Sequence, residues 1–457
     1  MSGVPAVVIA APASGSGKTT VTTGLIGALS AAGRTVAPFK VGPDYIDPGY
    51  HALASGRPGR NLDPNLVGEP LVPALFAAGS VGADIAVVEG VMGLFDGRIT
   101  PDSPAGGFGS TAHVAALLGA PVVLVVDAAG HSQSVAALLH GFIGFDPGIR
   151  IAGVILNRVG SDRHEEVLRA AAESVGLPVL GVLRRDDALA VPSRHLGLIP
   201  AAERSPQARA AVDAMTALVG ASVDVEAVAA VAGAGPVVEA WSAVDAVGDP
   251  VAGRPVVAVA SGAAFTFGYP EHAELLAAAG ARVVEFDPLS DTLPDDTAAL
   301  VIGGGFPEEH AESLSANAPL RAAVRAHVDA GRPVHAECAG YLYLTSGVVR
   351  DGRTGPALAG ALPVTAEFGP RLCLGYRDGV ALADSVLYRA GDRVTGHEFH
   401  RSTVEAGPAP AWGWQADGAR VDGHLYRGVH ASFLHVHPAA VPRAIARFVA
   451  AAAGTKD

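Results

Sequence analysis

Residues 14–20, Ser14-Gly15-Ser16-Gly17-Lys18-Thr19-Thr20, stand between an apolar run at 6–10 and a helically spaced segment at 20–32 that stops at Gly33. A Gly-rich loop ending in Lys-Thr, between a strand and a helix, fixes the start of an α/β unit. The backbone N–H groups of Gly15, Ser16, Gly17, Lys18 and Thr19 are expected to converge on phosphate oxygens at a helix N-terminus, with Thr20 beside them. Lys18 then offsets β/γ-phosphate charge, and the Thr19 hydroxyl is a ligand for Mg²⁺. Pro12 stands where the motif begins with Gly. It donates no N–H, so the loop's entry departs from the usual one.

Further apolar, β-branched runs at 36–39, 85–89, 122–126 and 151–156 alternate with helical patterns such as 135–140 and 164–174. That alternation predicts a parallel sheet covered on both faces. Such sheets bind ligands at the C-terminal ends of their strands, and chemistry-bearing residues gather there. Lys40 begins Lys40-Val41-Gly42-Pro43-Asp44-Tyr45-Ile46-Asp47-Pro48-Gly49-Tyr50-His51. Asp44 and Asp47 are expected to hold Mg²⁺ or place a substrate carboxylate, although Gly-Pro and Asp-Pro are also ordinary turn formers. Glu89 ends its strand as a third Mg²⁺ acid. Asp127 ends the next, either as a similar acid or as a helix cap. Asn157 and Arg158 end the run at 151–156, where an amide is placed to read a purine edge. The only lysines are Lys18, Lys40 and Lys456. Two of the three sit in these motifs, where a compact ammonium fits and a planar guanidinium does not.

A second α/β pattern begins at 256–260, with strands at 282–286 and 300–302, the latter ending in Gly303-Gly304-Gly305, and helices at 271–279 and 320–330. The run at 334–336 leads into Cys338, flanked by small residues, which is the form of an exposed thiol at a sharp strand-to-helix turn. A thiolate nucleophile needs a base, and His435, after the apolar run 431–434, is the candidate. Gly304 and Gly305 are expected to offer backbone N–H groups as an oxyanion hole. His437 occupies the place, two after His435, where a Cys–His–Glu triad carries its carboxylate. A Cys–His dyad is therefore expected, its orienting group absent or supplied from elsewhere. Short runs over 349–436 predict antiparallel additions, and 441–452 a closing helix. The expected organisation is 1–204 for the phosphate-binding domain, 205–253 for a helix and linker, and 254–457 for the thiol domain. Joined on one chain, an ATP site and a thiol that frees ammonia from glutamine imply a glutamine-dependent ligase.

The 457 residues suffice for two or three full cores. A net charge of −13 without a basic block argues against a nucleic-acid partner. Residues 1–11 lack a basic segment and run straight into the loop, so they read as a strand and not as a signal peptide. No apolar run approaches membrane-spanning length free of Gly, Asp or Arg. Two cysteines, Cys338 and Cys373, point to a reducing cytoplasm, with Cys373 structural.

These motifs, with Glu89-Gly90-Val91-Met92-Gly93-Leu94-Phe95-Asp96-Gly97, Arg194-His195-Leu196-Gly197-Leu198, Gly305-Phe306-Pro307-Glu308, Leu374-Gly375-Tyr376-Arg377 and Gly396-His397-Glu398-Phe399-His400, follow one another over nearly the whole chain. The ordered set resembles the cobyrinic and hydrogenobyrinic acid a,c-diamide synthases of cobalamin biosynthesis. The resemblance implies two doubly wound α/β domains, a dethiobiotin-synthetase-like P-loop ATPase and a class I (flavodoxin-like) glutamine amidotransferase, and a Cys–His pair without the usual Glu. It implies ATP, Mg²⁺, L-glutamine and hydrogenobyrinic or cobyrinic acid as cofactors and partners, with a homodimer left open. A polyanionic substrate needs local positive charge, for which Arg57, Arg60, Arg194, His195, Arg377, His397 and His400 are candidates. The sister cobyric acid synthases carry Lys-Ala-Gln-Asn-Met-Ser where this chain has Lys40-Val41-Gly42-Pro43-Asp44-Tyr45. Remaining rivals are a,c-diamidation of another tetrapyrrole such as nickel-sirohydrochlorin, and a partitioning-type regulatory ATPase with an inactive glutaminase domain.

Overall fold

In a computed structural model, residues 3–99, 107–185, 193–194, 197–198, 205–405, 407–416 and 418–454 are described. The apolar run at the start forms strand β1 (Pro5–Ala10), buried from its second residue on, and α1 (Lys18–Ala31) follows the Gly-rich loop. Strands β2 (Val36–Val41), β3 (Arg60–Leu62), β4 (Ile85–Glu89), β5 (Val122–Asp127), β6 (Ile151–Val159) and β7 (Val179–Arg184) complete the order β3-β2-β4-β1-β5-β6-β7. All these pairings are parallel. Gly233–Ala234 adds a short antiparallel segment to β1. The register sets Lys40 of β2 opposite Glu89 of β4, and Ile9 of β1 opposite Glu89. The ends of three adjacent strands therefore meet just where the Gly-rich loop leaves β1.

Chain contacts divide at Trp241/Ser242. Sequence reading sets a helix and linker over 205–253. In the structure, the helix Ser205–Ser222 lies along α1, with Met215 and Val219 buried. Gly24 permits that approach, since a Cβ there would stand 2.4 Å from the Met215 carbonyl oxygen. Shorter helices, Val225–Val231 and Ala243–Val247, follow.

The second unit has a six-stranded sheet in the order Arg282–Phe286, Val256–Ala260, Thr297–Ile302, Val334–Glu337, Val429–Ser432, His424–Tyr426. The first five are parallel and the last is antiparallel. A second sheet is built on the hairpin of Ala366–Ala381 and Arg393–Val404. The antiparallel additions expected over 349–436 are therefore only part of that segment. Val429–Ser432 returns to the parallel sheet beside Val334–Glu337, and His435–Val436 then pairs with Arg393–Val404. The helix Pro442–Ala452 closes the unit.

Candidate active site

The Gly-rich loop is a structured turn. Gly15 and Gly17 take φ of 79° and 97°, the left-handed region that glycine enters without a steric penalty. Ser16 Oγ donates to the Ala13 carbonyl at 2.9 Å. Asn157 Nδ2, reaching over from β6, donates to the Ser16 carbonyl at 2.9 Å. The amide expected to read a purine edge is thus engaged in holding the phosphate loop, and its Oδ1 accepts the Arg158 N–H at 2.9 Å. Arg158 itself adopts φ 58° and pairs with Asp127. Asp127 also accepts the Ala129 N–H at 3.0 Å, a bond within the turn that follows β5; the next helix, Val135–Phe145, starts from Ser134, so Asp127 does not cap it.

Behind the loop lies a buried cluster of opposite charges. Lys40 Nζ is 2.7 Å from Asp47 Oδ2, 2.9 Å from Glu89 Oε1 and 3.1 Å from the Gly90 carbonyl. Thr19 Oγ1 lies 2.7 Å from Glu89 Oε1 and 3.2 Å from Asp47 Oδ2. His51 Nε2 is 2.7 Å from the other Glu89 oxygen. Asp44 stands at the rim, 3.9 Å from Lys40, and accepts the Ile46 N–H at 2.8 Å. Burial opposes ionisation here. The paired carboxylates nevertheless hold Lys40 protonated, and Lys40 with His51 holds Glu89 ionised. Asp47 is pushed well above its ordinary value by burial and by Asp44.

Lys18 Nζ donates to the Met92 carbonyl at 2.5 Å. Burial, and then the charge of Lys40, lowers its pKa to about 8. Thr19, Asp47 and Glu89 form a convergent set of hard oxygen donors, which suits Mg²⁺. Among the described residues no group of three or more His, Cys, Asp or Glu side chains is arranged to hold a metal ion.

In the second unit Cys338 sits between Val334–Glu337 and the helix Ala339–Leu344 with φ 50° and ψ −99°. That backbone conformation is strained for a residue with a Cβ, and is the mark of a nucleophile elbow; the thiol is buried there, however, and not exposed as the sequence pattern leads one to expect. It is held by the Cys338 N–H donating to Ser432 O at 2.8 Å and the Gly340 N–H donating to Gly303 O at 2.9 Å. A Cβ on Gly340 would lie 2.0 Å from the Ile302 carbonyl oxygen, so the helix abuts the neighbouring strand only with glycine there. Burial, and next Glu308, pushes the Cys338 thiol well above its ordinary range, while the Ala339 N–H works in the opposite direction.

His435 is buried, and burial lowers its pKa, so it is neutral in the resting state. Its Cε1 packs on Gly304, where a Cβ would be 2.6 Å away. Gly304, expected as an oxyanion-hole donor, pairs with the backbone of Phe267. Its N–H donates to the Phe267 carbonyl at 3.2 Å, and its own carbonyl accepts from Phe267, so in this conformation that donor is occupied. Gly305, the other glycine expected there, takes φ 155°. His437 turns toward Tyr269, with ring centroids 4.2 Å apart, and toward Glu271 at 4.0 Å.

Sequence models of two families match in this order. The CobQ/CobB/MinD/ParA nucleotide binding domain covers residues 7–199, and the CobB/CobQ-like glutamine amidotransferase domain covers residues 256–441. A hydrogenobyrinate a,c-diamide synthase of Mycobacterium bovis is 60% identical over 455 residues, covering 98% of each chain. The chain belongs to the a,c-diamide synthase family. A hydrogenobyrinate member from Streptomyces coelicolor is 55% identical over 98% of this chain and 97% of its own. A cobyrinate a,c-diamide synthase of Gloeobacter violaceus is 45% identical over 97% and 96%.

As an a,c-diamide synthase family member, the chain has a nucleotide-binding half and a glutamine amidotransferase half, and it is a glutamine-dependent amidating ligase. No helix among the described residues is long and apolar enough to cross a membrane. Of the cations considered for an anionic substrate, Arg57 is tied to the Gly79 and Val81 carbonyls at 3.1 and 2.9 Å. Arg377 pairs with Glu398 at 2.7 Å, and His400 stacks on Phe433 at 4.0 Å. His397 is the strand partner of His435. These last three belong to the glutaminase half and not to the nucleotide-binding half. The Arg194 side chain and His195 lie outside the described residues.

Two residues in these sites carried no role in the sequence reading. His51 lies four after Asp47 on the helix Asp47–Ser55 (α2), a spacing that puts both on one face. Glu337 directly precedes Cys338, yet its link to His435 depends on strand order, which local pattern does not reveal.

Proposed function

We propose that the chain amidates the a and c carboxylates of hydrogenobyrinic acid, using ATP and glutamine, in cobalamin biosynthesis. The observation that carries the reading is the convergence of Lys18, Thr19, Lys40, Asp47 and Glu89 beside the loop, in a chain whose other unit presents Cys338 on a strained turn. The names of relatives at 60% and 55% identity support the metal-free corrinoid over the cobalt one.

A carboxylate is a poor acyl donor until one of its oxygens becomes a leaving group. A substrate carboxylate oxygen attacks the γ-phosphorus and ADP departs, leaving an acyl phosphate. The loop N–H groups and Lys18 bind the phosphates and stabilise their charge as it shifts to the β–γ bridge. Thr19, Asp47 and Glu89 would hold Mg²⁺, which offsets charge on the β- and γ-phosphates when bound.

In the other unit the Cys338 thiol gives its proton to His435 as sulfur bonds to the glutamine amide carbon. The C–N bond breaks, ammonia leaves with a proton returned by the imidazolium, and water hydrolyses the thioester to glutamate. Ammonia then attacks the acyl phosphate and phosphate leaves. The sequence repeats on the second side chain.

Oxygen-18 transfer tests the activation step. With hydrogenobyrinic acid labelled in its carboxyl oxygens, each amide formed is expected to place one label in inorganic phosphate. Amide formed with unlabelled phosphate would overturn the acyl phosphate route.

A further inference from the structure

Glu337 ends the strand that delivers the nucleophile, and it is largely buried at 16% side-chain exposure. Parallel pairing sets Glu337 opposite Ser432, so the chain that continues through Phe433 and Leu434 returns His435 to the neighbourhood of its carboxylate. Glu337 Oε2 lies 3.8 Å from His435 Nδ1. Its Oε1 lies 3.3 Å from His335 Nε2 and accepts the Val436 N–H at 3.4 Å. The carboxylate is therefore fixed from two sides, by the ring of its second neighbour in the strand and by the backbone next to His435. The His435 ring is fixed on another edge by Gly304.

We propose that Glu337 is the positioning residue for His435. The carboxylate that a Cys–His–Glu arrangement carries two residues after its histidine is here supplied by the residue before the nucleophile. The proposal rests on reading Cys338 and His435 as the glutaminase pair.

The physical consequence follows from which nitrogen faces which group. A carboxylate facing Nδ1 favours the tautomer with its proton there, which leaves Nε2 as the base. When Cys338 passes its proton to Nε2, positive charge develops on a ring already facing Glu337, so the ion pair strengthens as the sulfur–carbon bond forms. Glu337 keeps its own negative charge throughout. Burial alone would favour its neutral form, but above all the hydrogen bond from His335 holds its pKa down to about 2. His437, at the position where such a carboxylate is expected, is turned to Glu271 instead.

The test compares the full chain with Glu337→Gln and Glu337→Asp, given hydrogenobyrinic acid, MgATP and either glutamine or ammonium. With glutamine, kcat is expected to fall about 100-fold in Glu337→Gln, toward the lower end of what a positioned base contributes. KM for glutamine should be unchanged, and amidation from ammonium should be retained. Glu337→Asp keeps the charge on a shorter stem and should recover part of the rate, remaining roughly 10-fold below the parent. If Glu337→Gln does not fold, Glu337→Asp decides alone. Parental kcat in either folded variant, or a loss confined to KM, overturns the proposal. If the parent chain releases no glutamate from glutamine, the glutaminase reading fails, which is a separate result.

Discussion

Lys40 and Glu89 form a buried ion pair, Nζ to Oε1 at 2.9 Å, between neighbouring parallel strands whose register sets the two residues opposite each other. Neither side chain is more than 5% exposed. The pair bonds through the same oxygen to Thr19, so it connects the two motifs of the nucleotide-binding half. Replacing Lys40 by Met would leave Glu89 and Asp47 desolvated without their cation. Removal of one partner from a buried pair costs about 3–5 kcal/mol. The lower end is expected here, because Asp47 can take up a proton and His51 still faces Glu89. Urea unfolding of Lys40→Met checks this, and a loss below about 1 kcal/mol would show that the cluster reorganises freely.

Lys18 gives nucleotide binding a pH dependence. Its folded pKa is lowered to about 8, so the free chain loses that ammonium as pH rises through 8. Bound phosphates favour the charged form. MgATP affinity should therefore be level below pH 7 and weaken above 8, by about tenfold near pH 9. Calorimetric titration across this range checks it. Lys18→Met should bind weakly at every pH, without that slope.

A helix glycine gives a prediction of unusual sign. Gly→Ala inside a helix ordinarily stabilises by about 1 kcal/mol. At Gly24 the new methyl would stand 2.4 Å from the Met215 carbonyl oxygen, a backbone atom that cannot swing away. Overpacking of this kind costs about 1–3 kcal/mol. Gly24→Ala should therefore lower the denaturation midpoint, and a raised midpoint would contradict the close packing of Ser205–Ser222 on α1.

This packing also shows what the sequence did and did not disclose. The strand–loop–helix around Lys18, the strand-end acid Glu89 and the turn at Cys338 were readable, because each is set by residues near it in the chain. The association of Ser205–Ser222 with α1 was not, since a helix pattern does not name its neighbour. The same limit hid Glu337, whose link to His435 depends on Val334–Glu337 lying beside Val429–Ser432. Asn157 and Gly304 were found as residues at the right strand ends, but what their amide groups bond to is a matter of tertiary contact.

Buried neutral histidines make the glutaminase half acid-sensitive. Burial lowers His272, His327 and His397 to about 4 and His430 to about 3. Unfolded histidines titrate near 6.5. Between about 4 and 6.5 the unfolded state binds more protons, so stability rises with pH through that window and falls on acidification from 7 to 5. Asp422, raised to about 6 by burial, acts in the opposite direction, but as one group against the several lowered histidines of this unit. Urea unfolding followed by Trp fluorescence suits this test, since Trp412 and Trp414 lie in the unit. A midpoint unchanged from pH 7 to 5 would contradict the account.

The central claim is that one chain couples glutamine hydrolysis at Cys338 to ATP-driven amidation of a corrinoid. Mass spectrometry of the product tests it most directly, with hydrogenobyrinic acid, MgATP and either glutamine or ammonium. The parent chain should convert two acids to amides from either nitrogen source. Cys338→Ala should lose conversion from glutamine and keep it from ammonium. Turnover of ATP without any amidated corrinoid, or a Cys338→Ala variant that still uses glutamine, would contradict the claim.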